Sequence, residues 1–186
     1  MSDTTSAAPL QEIQNAIGDS GRDIRVNLET VLSDDGAPGL TRVQREGIAL
    51  ACAFATGPSE LASAIRSHGF EVLTTEVVEA AKSAATIMAM NNVYYRAMHL
   101  TEDKSITQLP ARLRMTVIGR PGIPKVDFEL MSLAVSAIAG CGACINAHMK
   151  EGQKAGISPE GLQSAIRIAA VLNAAHQALR IAAMTA

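Results

Sequence analysis

The sequence contains no tryptophan, and aromatic residues make up only 3% of it. Single-stranded nucleic acids are held on stacking aromatics set in a positive groove. Here the aromatics are missing, the formal net charge is -2 and no Lys/Arg cluster occurs, so a nucleic-acid partner is not expected. No run of about 18 uncharged apolar residues appears, so no membrane span is expected. The opening "MSDTTSAAPLQEIQ" lacks a basic segment followed by an apolar stretch, so a secretory signal is not expected either. Three cysteines are too few for a secreted disulfide scaffold, and one would be left over. These absences together predict a cytoplasmic protein. In that reducing compartment a C-x-x-C pair points to catalysis or metal binding rather than to structural cross-linking.

The 186 residues are 48% hydrophobic, enough to bury a sizeable core. Alanine, leucine, isoleucine and methionine supply that core. They are good helix formers of modest volume and favour closely packed helices. Helical periodicity begins at Leu10, Ile13, Ala16 and Ile17, with residues 1–9 frayed. "RDIRVNLETVL" follows, then the loop "SDDGAPG". A helix over 41–56 ends at Gly57-Pro58. Another runs from Ser59, read as its N-cap, to a stop at Gly69, and a long helix over 74–98 is capped by Thr74. Residues 100–115 read as mixed loop and 119–125 as a rigid connector. "DFELMSLAVSAIAG", "CGACINAHMKEGQKAG" and "SPEGLQSAIRIAAVLNAAHQALRIAA" are three more helices, the last capped by Ser158 with Pro159 in its first turn. No stretch alternates with period two over a useful length. The prediction is a single all-α domain over 1–186.

The two halves align when the second is moved back by 84 residues. Thr74 falls on Ser158, Glu76 on Glu160, Ala81 on Ala165, Ala85 on Ala169 and Arg96 on Arg180. Repeat halves of about 41–98 and 125–182 are therefore expected. Gly57, Glu60 and Ala64 stand where Cys141, Cys144 and His148 stand. The packing alanines persist and the thiols do not, which weakens a purely structural reading of those cysteines.

"AGCGACINAH", residues 139–148, is the chemical centre of the sequence. On a helix Cys141, Cys144 and His148 share one stripe about 60° wide. Cα atoms three apart are roughly 5 Å from each other, within reach of a disulfide. Gly140 and Gly142 mark a helix start, where the positive end of the dipole stabilises a thiolate. Proximity to the helix start favours Cys141 as the more reactive thiol; the one-turn spacing to His148 favours Cys144. Glu129 lies among Phe128, Leu130, Met131 and Leu133, where a carboxylate needs a partner; it is expected either to orient His148 or to be exposed at a helix start. Three readings stay open on residues alone: a dithiol redox centre, a zinc site and an inert core pair. Zinc would need further ligands from Cys52, His68, His99 and His176, which show no paired spacing. Cys52 reads as a buried lone thiol, His68 as a helix C-terminal residue, and His99 and His176 as structural.

A Glu twelve residues before C-x-x-C-x-x-x-H, preceded by "RPGIP" and by "IMAMNNVYYR", resembles the alkylhydroperoxidase D (AhpD) family of the AhpD/carboxymuconolactone decarboxylase superfamily. The resemblance runs from about Asp23 to the C-terminus. It implies an all-α homotrimer that reduces alkyl hydroperoxides and regenerates the peroxiredoxin of the alkyl hydroperoxide reductase system. Dihydrolipoyl groups of a 2-oxoacid dehydrogenase component would supply electrons, with dihydrolipoamide as reducing substrate and no bound metal, flavin or nicotinamide. By position, Cys144 would attack the peroxide and become a sulfenic acid. Cys141 would donate a proton and then close the disulfide, and His148 and Glu129 would form a proton relay. Some members carry a histidine between the cysteines; Ala143 stands there in this chain, which bears on the relay. A non-redox lyase using His148 and Glu129 as acid and base, and a scaffold with inert thiols, are the alternatives.

Overall fold

The computed structural model describes residues 8–57 and 59–185. Residues 1–7 of the stretch expected to fray, and Pro58, lie outside the described residues. Ala8 and Pro9 stand at the start of helix α1, Ala8–Ala16. A 3-10 turn at Asp19–Gly21 leads into α2, Arg22–Val31. The remaining helices are α3, Arg42–Thr56; α4, Ser59–His68; α5, Thr75–Leu100; α6, Lys104–Thr107; α7, Thr116–Gly119; α8, Lys125–Ala139; α9, Gly142–Lys154; and α10, Pro159–Thr185. Among the described residues there is no strand. The all-α expectation is met.

Helix ends follow side-chain chemistry. Thr41 and Gln44 form a reciprocal capping box at the start of α3, satisfying two backbone N–H groups that have no partner within the helix. Thr74 Oγ1 accepts from the Val77 N–H at the start of α5, and Ser158 Oγ accepts from the Gly161 N–H at the start of α10. Ser59 differs from its expected N-cap role: it lies within α4. Short polar residues are favoured at a cap but are also tolerated one position inside, and sequence spacing does not separate the two.

α3 and α8 lie at the centre, each packed against α5 and α10. α2 covers α10, α1 and α4 close one side, and α9 folds back on α8. Small side chains allow this closeness. Ala49, Ala51 and Ala53 of α3, Ala81 and Ala84 of α5, and Ala165 of α10 are fully buried. Phe128, Leu130 and Leu133 of α8 fill the space between them; burying one such side chain contributes about 1.5–3 kcal/mol. The loop before α3 is pinned to α10 by Ser164 bonding the Pro38 carbonyl and Arg167 bonding the Gly36 carbonyl.

α3–α4–α5 and α8–α9–α10 have the same order of lengths, and a shift of 84 residues superposes their bounds to within two residues. The chemistry sits at the second of the two short helices, at the corner where α8 hands over to α9.

Candidate active site

α8 stops at Gly140, whose φ of 68° is the left-handed conformation that glycine adopts without steric cost. The Cys141 N–H bonds the Ser136 carbonyl and the Gly140 N–H bonds the Ala137 carbonyl, closing the helix end as a Schellman turn. Arg96 of α5 donates to the Ala139 carbonyl at 2.6 Å. The chain therefore reverses in a single residue, and α9 begins at once with Cys141 as its N-cap. Cys141 Sγ accepts from the Cys144 N–H at 3.3 Å. A sulfur thus occupies the place usually taken by a serine or aspartate oxygen. It faces the N–H end of the helix, where negative charge is favoured.

Cys141 and Cys144 are paired as a disulfide, with Cα atoms 5.3 Å apart. Cys141 is fully enclosed, whereas Cys144 lines a cavity of about 240 Å³ together with His148 and Ala143. Tyr95 of α5, Met115 just before α7 and Ile118 of α7 form its apolar side. Behind the cavity His148 Nδ1 meets Glu129 Oε2 at 2.7 Å. Glu129 is only 4% exposed, so the exposed-helix-start reading does not hold and the carboxylate has its partner in the imidazole. The four residues singled out in the sequence, Cys141, Cys144, His148 and Glu129, thus converge on one corner. They run in order from the sealed thiol to the cavity thiol, the imidazole and the buried carboxylate.

The other candidates lie elsewhere. Cys52 of α3 is fully buried, and burial pushes its thiol far up, so it stays protonated and inert. The reduced, folded protein treated with iodoacetamide should therefore carry label on the cavity-facing Cys144 and none on Cys52. Peptide mass spectrometry reads this directly, and labelling of Cys52 under native conditions would contradict it. His99 is exposed near the end of α5. His176 is half-buried, with burial first and Arg180 second holding its imidazole below the usual range. Among the described residues no three His, Cys, Asp or Glu side chains gather as a metal-binding group, so the ligands that a zinc reading needs do not converge.

Two features escaped the sequence reading. His68 does end α4, but its Nδ1 also bonds Glu46 Oε2 at 3.2 Å, and Glu46 is fully buried. The second feature is the cavity wall formed by Asn91 and Tyr95, one helical turn apart on α5. The doubled asparagine inside an alanine-rich helix was the available signal. It became meaningful only once α5 was seen packed against α9.

The carboxymuconolactone decarboxylase family profile matches residues 105–186, which include the connector, both cysteines and the imidazole. The chain is 48% identical to the alkyl hydroperoxide reductase AhpD of Hyphomonas neptunium, over 91% of its own length and 93% of that protein. It is 45% identical to the protein of the same name from Methylocella silvestris, over 95% and 98% of the two chains. The Coxiella burnetii protein of that name is 48% identical over 90% and 95%. Similarity of this degree along nearly the whole length, together with the family match over the site, means that the chain belongs to the AhpD family of the carboxymuconolactone decarboxylase superfamily.

Proposed function

We propose that this protein is a thiol-dependent alkyl hydroperoxide reductase. The observation that carries the reading is the ordered arrangement of a cavity-facing Cys144, a sealed Cys141 and the buried His148–Glu129 pair. The names of the relatives support the same activity. The Cys144 thiolate attacks the terminal peroxide oxygen. An S–O bond forms, the O–O bond breaks, and the alkoxide leaves as the alcohol after taking a proton. The Cys144 sulfenic acid then loses water as Cys141 attacks its sulfur and closes the disulfide. A dithiol restores both thiols by two exchange steps. Exposure supports Cys144 as the attacking sulfur, since Cys141 has no surface for a substrate to reach. Cys141 serves as proton donor and resolving thiol. His148, steadied by Glu129, moves the protons.

The reductant in this proposal is dihydrolipoamide, carried on the lipoyl group of a 2-oxoacid dehydrogenase component. The oxidised peroxiredoxin of the alkyl hydroperoxide reductase system is a second disulfide that the reduced centre would restore. A cycle that needs a reducing supply fits the cytoplasm. Among the described residues no helix is long and apolar enough to cross a membrane. Val93, Leu100, Ile106 and Leu109 are exposed along the end of α5 and the turn beyond it, which supports burial against other copies in a homotrimer.

The test is hydroperoxide consumption with dihydrolipoamide compared with monothiols, before and after alkylation of the reduced protein. Turnover should be fastest with the dithiol and should vanish on alkylation. No hydroperoxide consumption by the reduced, unalkylated protein would overturn the reductase reading and leave the non-redox lyase, which requires only His148 and Glu129, as the alternative.

A further inference from the structure

We propose that Asn91 is a further catalytic residue of this site: its carboxamide binds the O–O–H group of the hydroperoxide against Cys144. The inference rests on the peroxide reductase reading above. Asn91 is only 5% exposed, and its Oδ1 is enclosed with no hydrogen-bond partner in the protein. A native core rarely leaves such an amide unsatisfied, and an exception calls for a role. Its surroundings supply one. Asn91 lines the same cavity as Cys144 and His148, and its backbone carbonyl oxygen lies 3.9 Å from Cys144 Sγ. The rest of that wall offers little to a peroxide. The Tyr95 hydroxyl is turned to Met115 Sδ at 3.9 Å, and Ile118, Ala143 and Ala147 are apolar.

A hydroperoxide has one O–H donor and two acceptor oxygens. The amide N–H is the end of the Asn91 carboxamide that is not enclosed, and it is a donor that a peroxide oxygen can accept. The amide N–H faces the inner oxygen, where negative charge grows as sulfur bonds to the terminal oxygen and the O–O bond breaks. The released alkoxide takes its proton from the Cys141 and His148 relay, so Asn91 stabilises charge and transfers nothing. The alkyl group lies on the apolar side formed by Tyr95, Met115 and Ile118.

The two half-reactions separate this role from a structural one. Peroxide is mixed with pre-reduced protein and disulfide formation is followed; separately, the disulfide form is mixed with dihydrolipoamide and its reduction is followed. Removing one donor from a site of developing charge costs about 10²–10³ in rate. Because the relay shares the load here, Asn91→Leu should slow the peroxide step about 10- to 100-fold. Reduction by dihydrolipoamide should proceed at the native rate. Asn91→Ala serves if the leucine variant does not fold. Asn92→Leu is the control. Asn92 is equally enclosed and unpartnered, but it lines a different cavity, beside Phe54 and Lys82, and its replacement should leave the peroxide step unchanged. A native peroxide rate in the Asn91 variants, an equal loss in both half-reactions, or an equal loss in Asn92→Leu would each overturn the role of Asn91. A native protein that forms no disulfide with peroxide would overturn the reductase reading and this inference with it.

Discussion

Cys144→Ser is expected to lose dithiol-dependent hydroperoxide turnover by more than about 10³-fold, because the variant has no nucleophile at the cavity. Cys141→Ser is expected to lose turnover as well, but by a different route. Its Cys144 thiolate still faces the cavity and should consume one equivalent of peroxide, gaining about 16 Da as the sulfenic acid. No neighbouring thiol is then present to displace water, and the cycle stops. Mass spectrometry of the peptide spanning residues 139–150 distinguishes the two variants. The native protein should lose about two mass units there, Cys141→Ser should gain oxygen, and Cys144→Ser should do neither. Neither variant should unfold. The hydroxyl in Cys141→Ser is among the best N-cap groups for α9, so its stability should match that of the reduced native protein to within about 1 kcal/mol. Sustained full turnover by either variant would end the dithiol mechanism.

The second large effect concerns the buried pair. Glu129→Gln keeps the size of the side chain and an oxygen that can accept from the imidazole, but it removes the charge that steadies a protonated His148. General acid–base groups contribute about 10²–10⁴-fold, and a loss of about 10²-fold in peroxide turnover is expected. His148→Ala should show a comparable loss of activity and a separate loss of stability. It leaves the Glu129 carboxylate buried without a partner, and breaking a buried pair from one side costs about 3–5 kcal/mol. Adding Glu129→Gln to His148→Ala should recover much of that stability, while activity falls little further, because the two groups act as a unit. Urea denaturation and turnover measured on the four proteins of the cycle test both statements. Additive losses in activity would mean that the two side chains do not share one relay.

Several of these features are legible in the sequence alone. Thr74 and Ser158 announced helix starts by residue type alone, because each hydroxyl needs only the N–H three residues on. Gly140 announced the reversal between α8 and α9, since a left-handed residue at that corner is most easily a glycine. The spacing of Cys141, Cys144 and His148 is local and survives into the fold unchanged. Glu129 was suspected from its apolar neighbours, and its alternative of simple exposure failed once α9 was found folded back over α8. Ser59 falls inside α4 rather than ahead of it, because local preference does not fix a boundary to one residue. Asn91 and the Glu46–His68 pair were out of reach for a different reason. Each depends on which face of one helix meets another, and nothing in a single helix encodes its partner.

Among the described residues two buried carboxylates each meet an imidazole: Glu129 meets His148 beside the thiols, and Glu46 meets the partly exposed His68 where α4 ends against α3. That duplication is an internal reference standard. Heat, salt or denaturant that loosens such contacts in general will register at both imidazoles, whereas oxidation of the dithiol should register at His148 and leave His68 silent. Two ring signals in one spectrum of one sample then separate a change of redox state from a loosening of the whole molecule, without a second protein for comparison.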